Sequence, residues 1–162
     1  MPNGEGGSEV GLVTFRPELR GAFKALNMAW LEGNGLLEPA DLRTLDFPEA
    51  SVLAGGGEIF FAMEDDVPVG TCAAVVVDRD TVELAKLAVT PSAQGRGVGR
   101  RLCEAVIGLA RKRDARRIVL TSNHRLAAAV RLYEALGFVH APLPETVPYE
   151  TADVYMVLDL EG

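Results

Sequence analysis

A glycine-rich segment between an apolar strand and an amphipathic helix constrains this sequence more than any other feature. It reads Gln-Gly-Arg-Gly-Val-Gly over residues 94–99, where a helical pattern of apolar residues begins. Glycine lacks the Cβ atom that would hold an anion away from the backbone, so N–H groups of the first helical turn can reach phosphate oxygens. The helix dipole adds about half a positive charge at the same end. The segment therefore predicts a loop that binds a pyrophosphate.

The spacing of the glycines excludes the two commonest phosphate-binding loops. A dinucleotide-binding G-x-G-x-x-G loop needs glycine at position 100 and an acidic residue about 20 positions later. This chain has Arg100 at the first position, and Arg116 and Arg117 near the second. A nucleoside-triphosphate loop needs G-K-[ST], which the sequence lacks.

Two motifs together resemble the GNAT family of acetyl-CoA-dependent N-acetyltransferases. The first is Q-x-x-G-x-G, read at Gln94, Gly97 and Gly99 after the strand-like run of residues 83–91. The second is the helix end L-Y-E-A-L-G-F at residues 132–138. The close resemblance covers residues 81–138, and the first 80 residues match only in the order of their elements.

The apolar patterns predict an α/β (α+β) domain over residues 9–162, built on a mixed, mostly antiparallel sheet with helices on both faces. The expected order is β-α-α-β-β-β-α-β-α-β-β. Strands are predicted at 10–15, 58–63, 67–77, 81–89, 118–121, 138–141 and 154–160. Helices are predicted over 19–30, over 39–55 with an interruption at Pro48, and over 98–109 and 126–136.

Composition favours a soluble, cytoplasmic protein. Residues 1–8 have neither a basic region nor an apolar run, so we expect a flexible N-terminal tail rather than a secretory signal. The longest apolar run, residues 72–77, is too short to span a bilayer and indicates a buried strand. Cys72 and Cys103 lack metal-ligand spacing, so we expect reduced core cysteines and no metal.

The net charge of −7 is unevenly distributed along the chain. Ten arginines and lysines but only two acids fall within residues 94–131, so the flanks are acidic. A basic segment suits the phosphates of coenzyme A, and acidic flanks favour a cationic amine. We expect Arg96, Arg100 and Arg101 to contact the ligand, whereas the cations of residues 111–117 suit an ordinary helix end. Nucleic-acid binding is disfavoured, because no aromatic residue interleaves the basic segment.

The resemblance implies a cofactor cleft where the strand at residues 87–89 parts from the strand at residues 118–121. The pantetheine arm of acetyl-CoA would lie there and pair with exposed backbone at Leu87 and Val89, as an added strand does. The residues expected to bind the cofactor are Leu87, Ala88, Val89, Gln94, Gly95, Arg96, Gly97, Val98, Gly99, Arg100 and Asn123.

Asn123 has two interpretations. It resembles the asparagine that family members place near coenzyme A. Many members carry that asparagine three residues before the alanine equivalent to Ala129, where this chain has Leu126. Asn123 equally suits an N-cap of the following helix.

Glu83 is the candidate general base. Acetyl transfer needs a neutral amine, yet an alkyl ammonium has a pKa of about 10, so some group must accept a proton. Glu83 matches the glutamate that begins the family's strand and often deprotonates the amine through a water. The alternative is an exposed strand residue opposite a cation. Other candidate bases are Asp78, Asp80, Glu150 and Asp153.

Tyr133 is the candidate general acid. The departing thiolate has a pKa of about 8.5 and benefits from a proton donor. Tyr133 matches the tyrosine of the family's L-Y-E motif, and its alternative is a core tyrosine with its hydroxyl at the surface. A backbone N–H near Val89 would hold the oxyanion.

The segment 148–155 and the two histidines have no definite functional assignment. Residues 148–155 carry two tyrosines and two acids, and either line the acceptor pocket or form a solvated loop. His124 and His140 lack a partner that indicates a triad or a metal site.

We therefore expect an N-acetyltransferase that moves acetyl from acetyl-CoA directly to a primary amine of a small molecule or peptide. The competing interpretation is a noncatalytic acyl-CoA-binding module, which would keep the glycine loop but could dispense with Glu83 and Tyr133. We expect no nucleic-acid or membrane partner, and the family's habit leaves a homodimer open.

Overall fold

The computed structural model describes residues 9–161. Its helices are α1 (Arg20–Gly33), α2 (Pro39–Leu45), α3 (Val98–Lys112) and α4 (Ala127–Ala135). Its strands are β1 (Val10–Thr14), β2 (Glu58–Glu64), β3 (Val67–Val76), β4 (Thr81–Val89), β5 (Arg117–Ser122), β6 (Val139–His140) and β7 (Val154–Asp159). This order of helices and strands is the predicted one. The tail predicted at residues 1–8 lies outside the described residues.

The strands form one sheet in the order β1-β2-β3-β4-β5-β7-β6. Every neighbouring pair is antiparallel except β4 and β5. The parallel pairing of β4 and β5 extends only from Thr81↔Arg117 to Glu83↔Val119. Beyond Glu83 the two strands part, so the sheet opens at the carboxyl ends of β4 and β5, as the resemblance implied.

Two hydrophobic clusters cover opposite faces of the sheet. Phe61 of β2 packs in one cluster with Phe23 of α1 and Leu45 of α2. The next residue, Ala62, packs in the other cluster, which contains Leu102 of α3 and residues of α4. Successive side chains of a strand point to opposite faces, so this division follows from the strand geometry. Helices therefore cover both faces, as predicted.

A bulge interrupts the regular alternation of β4. Two residues of β4, Lys86 and Leu87, lie opposite the single β3 residue Cys72. The extra residue reverses which face later side chains occupy. Leu84 and Leu87 are an odd number of positions apart, yet both pack in the cluster that contains α3. For the same reason, Glu83 and Lys86 line one cavity.

One predicted interruption is confirmed, and one strand is shorter than predicted. The chain segment after α2 forms a separate π-type turn at Glu49–Leu53, which begins after Pro48, so the predicted interruption is confirmed. β6 is limited to two residues at the edge of the sheet, shorter than the predicted 138–141.

Within residues 9–161, none of the helices combines the length and apolar character needed to cross a membrane.

Candidate active site

A cavity opens where β4 and β5 part. Its volume is about 110 Å³, and its walls come from α1, β4, β5, α4 and the segment of residues 149–152. A larger groove of about 670 Å³ runs past the end of β4 and the start of α4. Trp30 and Leu126 line both spaces, so the cavity and the groove are adjacent. This arrangement can hold a long ligand in the groove with its reactive end in the cavity.

The start of α3 offers unobstructed backbone donors. Gly95 and Gly97 have φ values of +77° and +79°, which glycine adopts without the penalty of other residues. A Cβ atom at either glycine would meet nothing within 4 Å, so the loop borders open space. Gly97 precedes α3 and no side chain caps the helix. The first-turn N–H groups, which have no partner inside a helix, can therefore bind an anion.

Gly99 has different surroundings from the other two glycines. A Cβ atom there would lie 3.4 Å from the Leu132 side chain of α4. Gly99 therefore faces α4, and its contact with the coenzyme stays a prediction.

Gln94 is bonded to the end of β4. Its Nε2 donates to the Val89 carbonyl oxygen at 3.0 Å. The N–H of Thr90 donates to Val69 of β3 at 2.9 Å. Backbone groups of successive strand residues point in opposite directions, so the Val89 N–H faces the open edge. Val89 can therefore offer a ligand a donor, while its carbonyl oxygen already has a partner.

The three arginines predicted to contact the ligand also have protein partners. Arg96 forms a 2.6 Å ion pair with Glu64, whose hydrogen bond raises the pKa of Arg96. Arg100 pairs with Glu104 at 3.3 Å. Arg101 donates to the Val10 carbonyl oxygen at 2.5 Å. The positive charge of the loop is thus partly balanced by neighbouring acids.

Glu83 lies in the cavity with no protein hydrogen-bond donor among the described residues. Burial raises the pKa of its carboxyl group, and the nearby Lys86 acts in the opposite direction. The carboxylate can therefore accept a proton from a group bound in the cavity. The other candidate bases, Asp78, Asp80, Glu150 and Asp153, do not line this cavity.

Tyr133 lines the same cavity from α4 and is 6% exposed. Its ring packs edge-on against Phe138 at a centroid distance of 5.9 Å. Its hydroxyl has no hydrogen-bond partner within residues 9–161. Burial raises the pKa of the Tyr133 phenol well above its ordinary value, so the group keeps its proton and can donate it to a ligand.

Both polar atoms of the Asn123 side chain form hydrogen bonds within the protein. Its Nδ2 donates to the Thr151 carbonyl oxygen at 2.5 Å, and its Oδ1 accepts from the Arg125 N–H at 2.8 Å. α4 begins after Leu126 and has no side-chain cap. The N-cap interpretation is therefore wrong, since Asn123 forms a turn before the helix and ties that turn to the C-terminal segment.

The sequence interpretation missed a buried cluster in the cavity wall. We call Asp41, Lys86 and Tyr149 the Lys86 cluster. Lys86 Nζ lies 2.5 Å from Asp41 Oδ1 and donates to Tyr149 Oη at 2.9 Å. The side chains of Lys86 and Asp41 are only 8% and 4% exposed. The one available signal was a lysine within the otherwise apolar run of β4.

Residues 149–152 form a strap along one wall of the cavity. The Glu38 carboxylate accepts hydrogen bonds from the N–H of Glu150 at 2.8 Å, the N–H of Thr151 at 3.0 Å and the Thr151 hydroxyl. Tyr149, Thr151 and Ala152 line the cavity. Three residues of the segment 148–155 therefore line a cavity while Pro148, Glu150 and Asp153 are exposed, and the acceptor pocket stays a prediction.

The histidines and cysteines lie outside the cavity lining. His124 contacts Asp153 and lowers the pKa of its carboxyl group, and both residues are exposed. His140 pairs with Glu134 at 2.8 Å on the surface. Cys72 and Cys103 are buried free thiols, as predicted.

Comparisons with known proteins agree with this geometry. The sequence model of the family described as Acetyltransferase (GNAT) family matches residues 22–138. No curated protein sequence matches this chain. An acetyltransferase of the GNAT family from Staphylococcus aureus Mu50 has a TM-score of 0.86 at 18% identity, over 94% of this chain and 99% of that chain.

Two further similar structures were solved with a coenzyme. The acetyltransferase yncA from Salmonella typhimurium, with its cofactor acetyl-CoA, has a TM-score of 0.73 at 25% identity, over 94% of this chain and 95% of that chain. The PaiA N-acetyltransferase from Thermoplasma acidophilum, in complex with coenzyme A, has a TM-score of 0.74 at 10% identity, over 93% of this chain and 99% of that chain.

Proposed function

Since this chain belongs to the GNAT acetyltransferase family, we propose that it moves the acetyl group of acetyl-CoA directly to a primary amine of a small molecule or a peptide. One observation carries the proposal. Glu83 and Tyr133, a half-buried carboxyl group and a buried phenol without protein hydrogen-bond partners among the described residues, line one cavity at the parted strands. Buried polar groups ordinarily have partners, so this pair is suited to a bound substrate.

The glycine loop and the start of α3 are the proposed pyrophosphate site. The positive φ values of Gly95 and Gly97 and the open space beside them support this assignment. First-turn N–H groups and the helix dipole would bind the anion together. The groove beside the end of β4 would receive the pantetheine arm.

In the proposed reaction the amine nitrogen attacks the thioester carbonyl carbon and the carbon–sulfur bond breaks. Glu83 accepts the proton that the amine loses, directly or through a water. Burial raises the pKa of Glu83 towards neutral pH, where a general base is most effective. The Val89 N–H faces the open edge of β4 and is the proposed donor to the oxyanion.

Tyr133 is the proposed donor to the departing thiolate. Its phenol remains protonated at neutral pH because burial raises its pKa. In the cavity it has no competing protein acceptor, so its O–H is available to the sulfur atom. The edge-on contact with Phe138 holds the ring in one orientation.

The acceptor end of the cavity favours a small amine over a peptide. The strap of residues 149–152 crosses this end and is held by Glu38 through three hydrogen bonds. Tyr149, Thr151 and Ala152 of the strap form this wall of the cavity. A peptide acceptor would have to displace the strap.

The test is thiol release from acetyl-CoA with a panel of polyamines, amino acids, aminoglycosides and short peptides, alongside calorimetric binding of coenzyme A. We expect tight coenzyme binding and turnover with one class of small amine. Binding without turnover on any amine would instead support the noncatalytic acyl-CoA-binding module. Absence of coenzyme binding would contradict both functions.

A further inference from the structure

We propose that Lys86 is a positioning residue of the acceptor site. Asp41 and Tyr149 hold the Lys86 side chain in place. Its positive charge favours the ionised form of Glu83. This inference rests on the proposed function, because it requires Glu83 to act as the base. The inference concerns a residue that lies in neither of the two family motifs.

The backbone of Lys86 is unusual for a lysine. Its φ of +58° lies in the left-handed region, which residues other than glycine seldom adopt. Its side chain is 8% exposed, although lysine is almost never buried without a partner. The contacts with Asp41 and Tyr149 supply that partner, and Lys86 Nζ also lies 4.7 Å from the Tyr149 ring centroid. Strained backbone persists where surrounding contacts determine it, and such sites cluster at functional centres.

The bulge gives the Lys86 side chain its place beside Glu83. In a regular strand, residues three positions apart point to opposite faces. With the extra residue in β4, both side chains lie on the face opposite to Leu84 and Leu87, where Lys86 reaches Asp41 of α2. Without the bulge Lys86 would point into the apolar cluster around α3, where no carboxylate pairs with it. The left-handed backbone at Lys86 therefore places a cation in the cavity that Glu83 lines.

The remaining charges around Glu83 are few. Among the described residues that line the cavity, Lys86 is the only Lys or Arg. The uncharged groups are Asn27 and Trp30 of α1 and Thr121 and Ser122 of β5. α2 contributes the acid Asp41. The phenols are those of Tyr133 in α4 and Tyr149 in the strap. The charge balance near Glu83 therefore involves the cation Lys86, its counter-ion Asp41, and Glu38, whose carboxylate also interacts with Lys86.

The two partners act on Glu83 in opposite directions. The positive charge of Lys86 stabilises the Glu83 carboxylate and opposes the increase in its pKa that burial causes. Asp41 partly cancels that positive charge. Burial would lower the pKa of Lys86, but Tyr149 and Asp41 raise it above its ordinary value, so Lys86 stays protonated at neutral pH. A permanent cation in this position keeps Glu83 able to accept a proton at lower pH.

The experiment measures kcat/KM against pH with the best acceptor from the panel, for wild type, Lys86→Met and Asp41→Asn. Loss of the cation should move the acidic limb of the profile to higher pH by about one unit, and loss of the counter-ion should move it to lower pH. Lys86→Arg keeps the charge and should leave the limb near its wild-type position. The acceptor amine also titrates, and the part of the pH profile that its ionisation causes should be the same in all variants.

A matched control is available at the surface. Lys24 pairs with Asp46 at 2.5 Å, but the Lys24 side chain is 45% exposed and lies outside the cavity lining. Lys24→Met should leave the profile unchanged. If Lys86→Met does not fold, Lys86→Gln, whose amide can still donate to Asp41, replaces it as the uncharged variant.

The inference is overturned if the acidic limb stays at the wild-type pH in the uncharged variant while Glu83→Gln abolishes most of the turnover. A Glu83→Gln variant with full turnover has a different meaning, because it removes Glu83 as the base in the proposed function. The two failures are therefore distinguishable in one set of measurements.

Discussion

The side-chain amide of Gln94 donates to the Val89 carbonyl oxygen at 3.0 Å and so joins the glycine loop to the end of β4. This bond fixes the relative position of two parts of the proposed coenzyme site: the first-turn N–H groups of α3 and the Val89 N–H. Replacing Gln94 should therefore disturb coenzyme binding before it disturbs the chemistry.

We expect Gln94→Ala to raise the KM for acetyl-CoA several-fold with a smaller change in kcat, because the loop loses its attachment to β4. Gln94→Glu should have a larger effect, since a carboxylate cannot donate and repels the Val89 oxygen. Steady-state kinetics at varied acetyl-CoA measures both. Equal losses in kcat for the two variants would argue for a direct function in catalysis.

Gly97→Val should lose coenzyme binding by at least about tenfold, because a β-branched residue is strained at a φ of +79° and its side chain would occupy the space beside the loop. Calorimetry with coenzyme A measures the loss. Gly108→Ala is the matched control, since Gly108 lies inside α3 with nothing near its Cβ position. This control should bind normally and gain about 0.5–1 kcal/mol in unfolding free energy.

Tyr133→Phe should retain coenzyme binding and lose about 10²-fold in kcat, the lower range for a general acid. The ring contact with Phe138 is preserved, so the variant should fold normally. Single-turnover kinetics with saturating acetyl-CoA separates chemistry from binding. Unchanged turnover would remove Tyr133 as the acid and leave it as a packing residue.

Glu83→Gln should be more stable than wild type at about pH 8, despite its loss of activity. The folded-state pKa of Glu83 is raised by burial. The folded protein therefore binds the proton more tightly than the unfolded chain does, and wild type loses stability as pH rises from the unfolded pKa through the folded pKa. Thermal midpoints of the two proteins should approach each other at about pH 4 and diverge above it. A constant difference across this range would contradict the assignment.

Glu38→Ala should widen the range of acceptors. The variant removes three hydrogen bonds that hold the strap of residues 149–152, so short peptides should be acetylated relatively better and the KM for the small amine should rise. The ratio of kcat/KM for the two acceptors is the measurement. Glu32→Ala, on the exposed side of α1, is the control and should leave the ratio unchanged.

The proposed coenzyme side of the site rests on local signals. The glycine loop, the strand before it and the L-Y-E helix end are contiguous patterns, and their geometric demands follow from the residues themselves. The positive φ values of Gly95 and Gly97 and the position of Tyr133 in the cavity agree with those patterns. The order of all helices and strands was likewise readable from apolar periodicity.

The acceptor side was not predictable, because its contacts join distant segments. Lys86 carries no sequence signal for a left-handed backbone, which is ordinarily assigned to glycine or asparagine. Its partners Asp41 and Tyr149 are 45 and 63 positions away. The ion pair of Arg96 with Glu64 was missed for the same reason, since the pairing depends on the end of β2 reaching the loop.

The hydrogen bonds from the strap to Glu38 span 112 and 113 positions of the chain. Such non-local contacts form late, after the entropy of closing a long loop has been overcome. During synthesis, the segment that carries the glycine loop and α4 emerges before residues 149–152. The proposed coenzyme half of the cleft can therefore assemble on a nascent chain that still lacks residues 149–152, and the proposed selectivity for an amine would be acquired only when these residues pack.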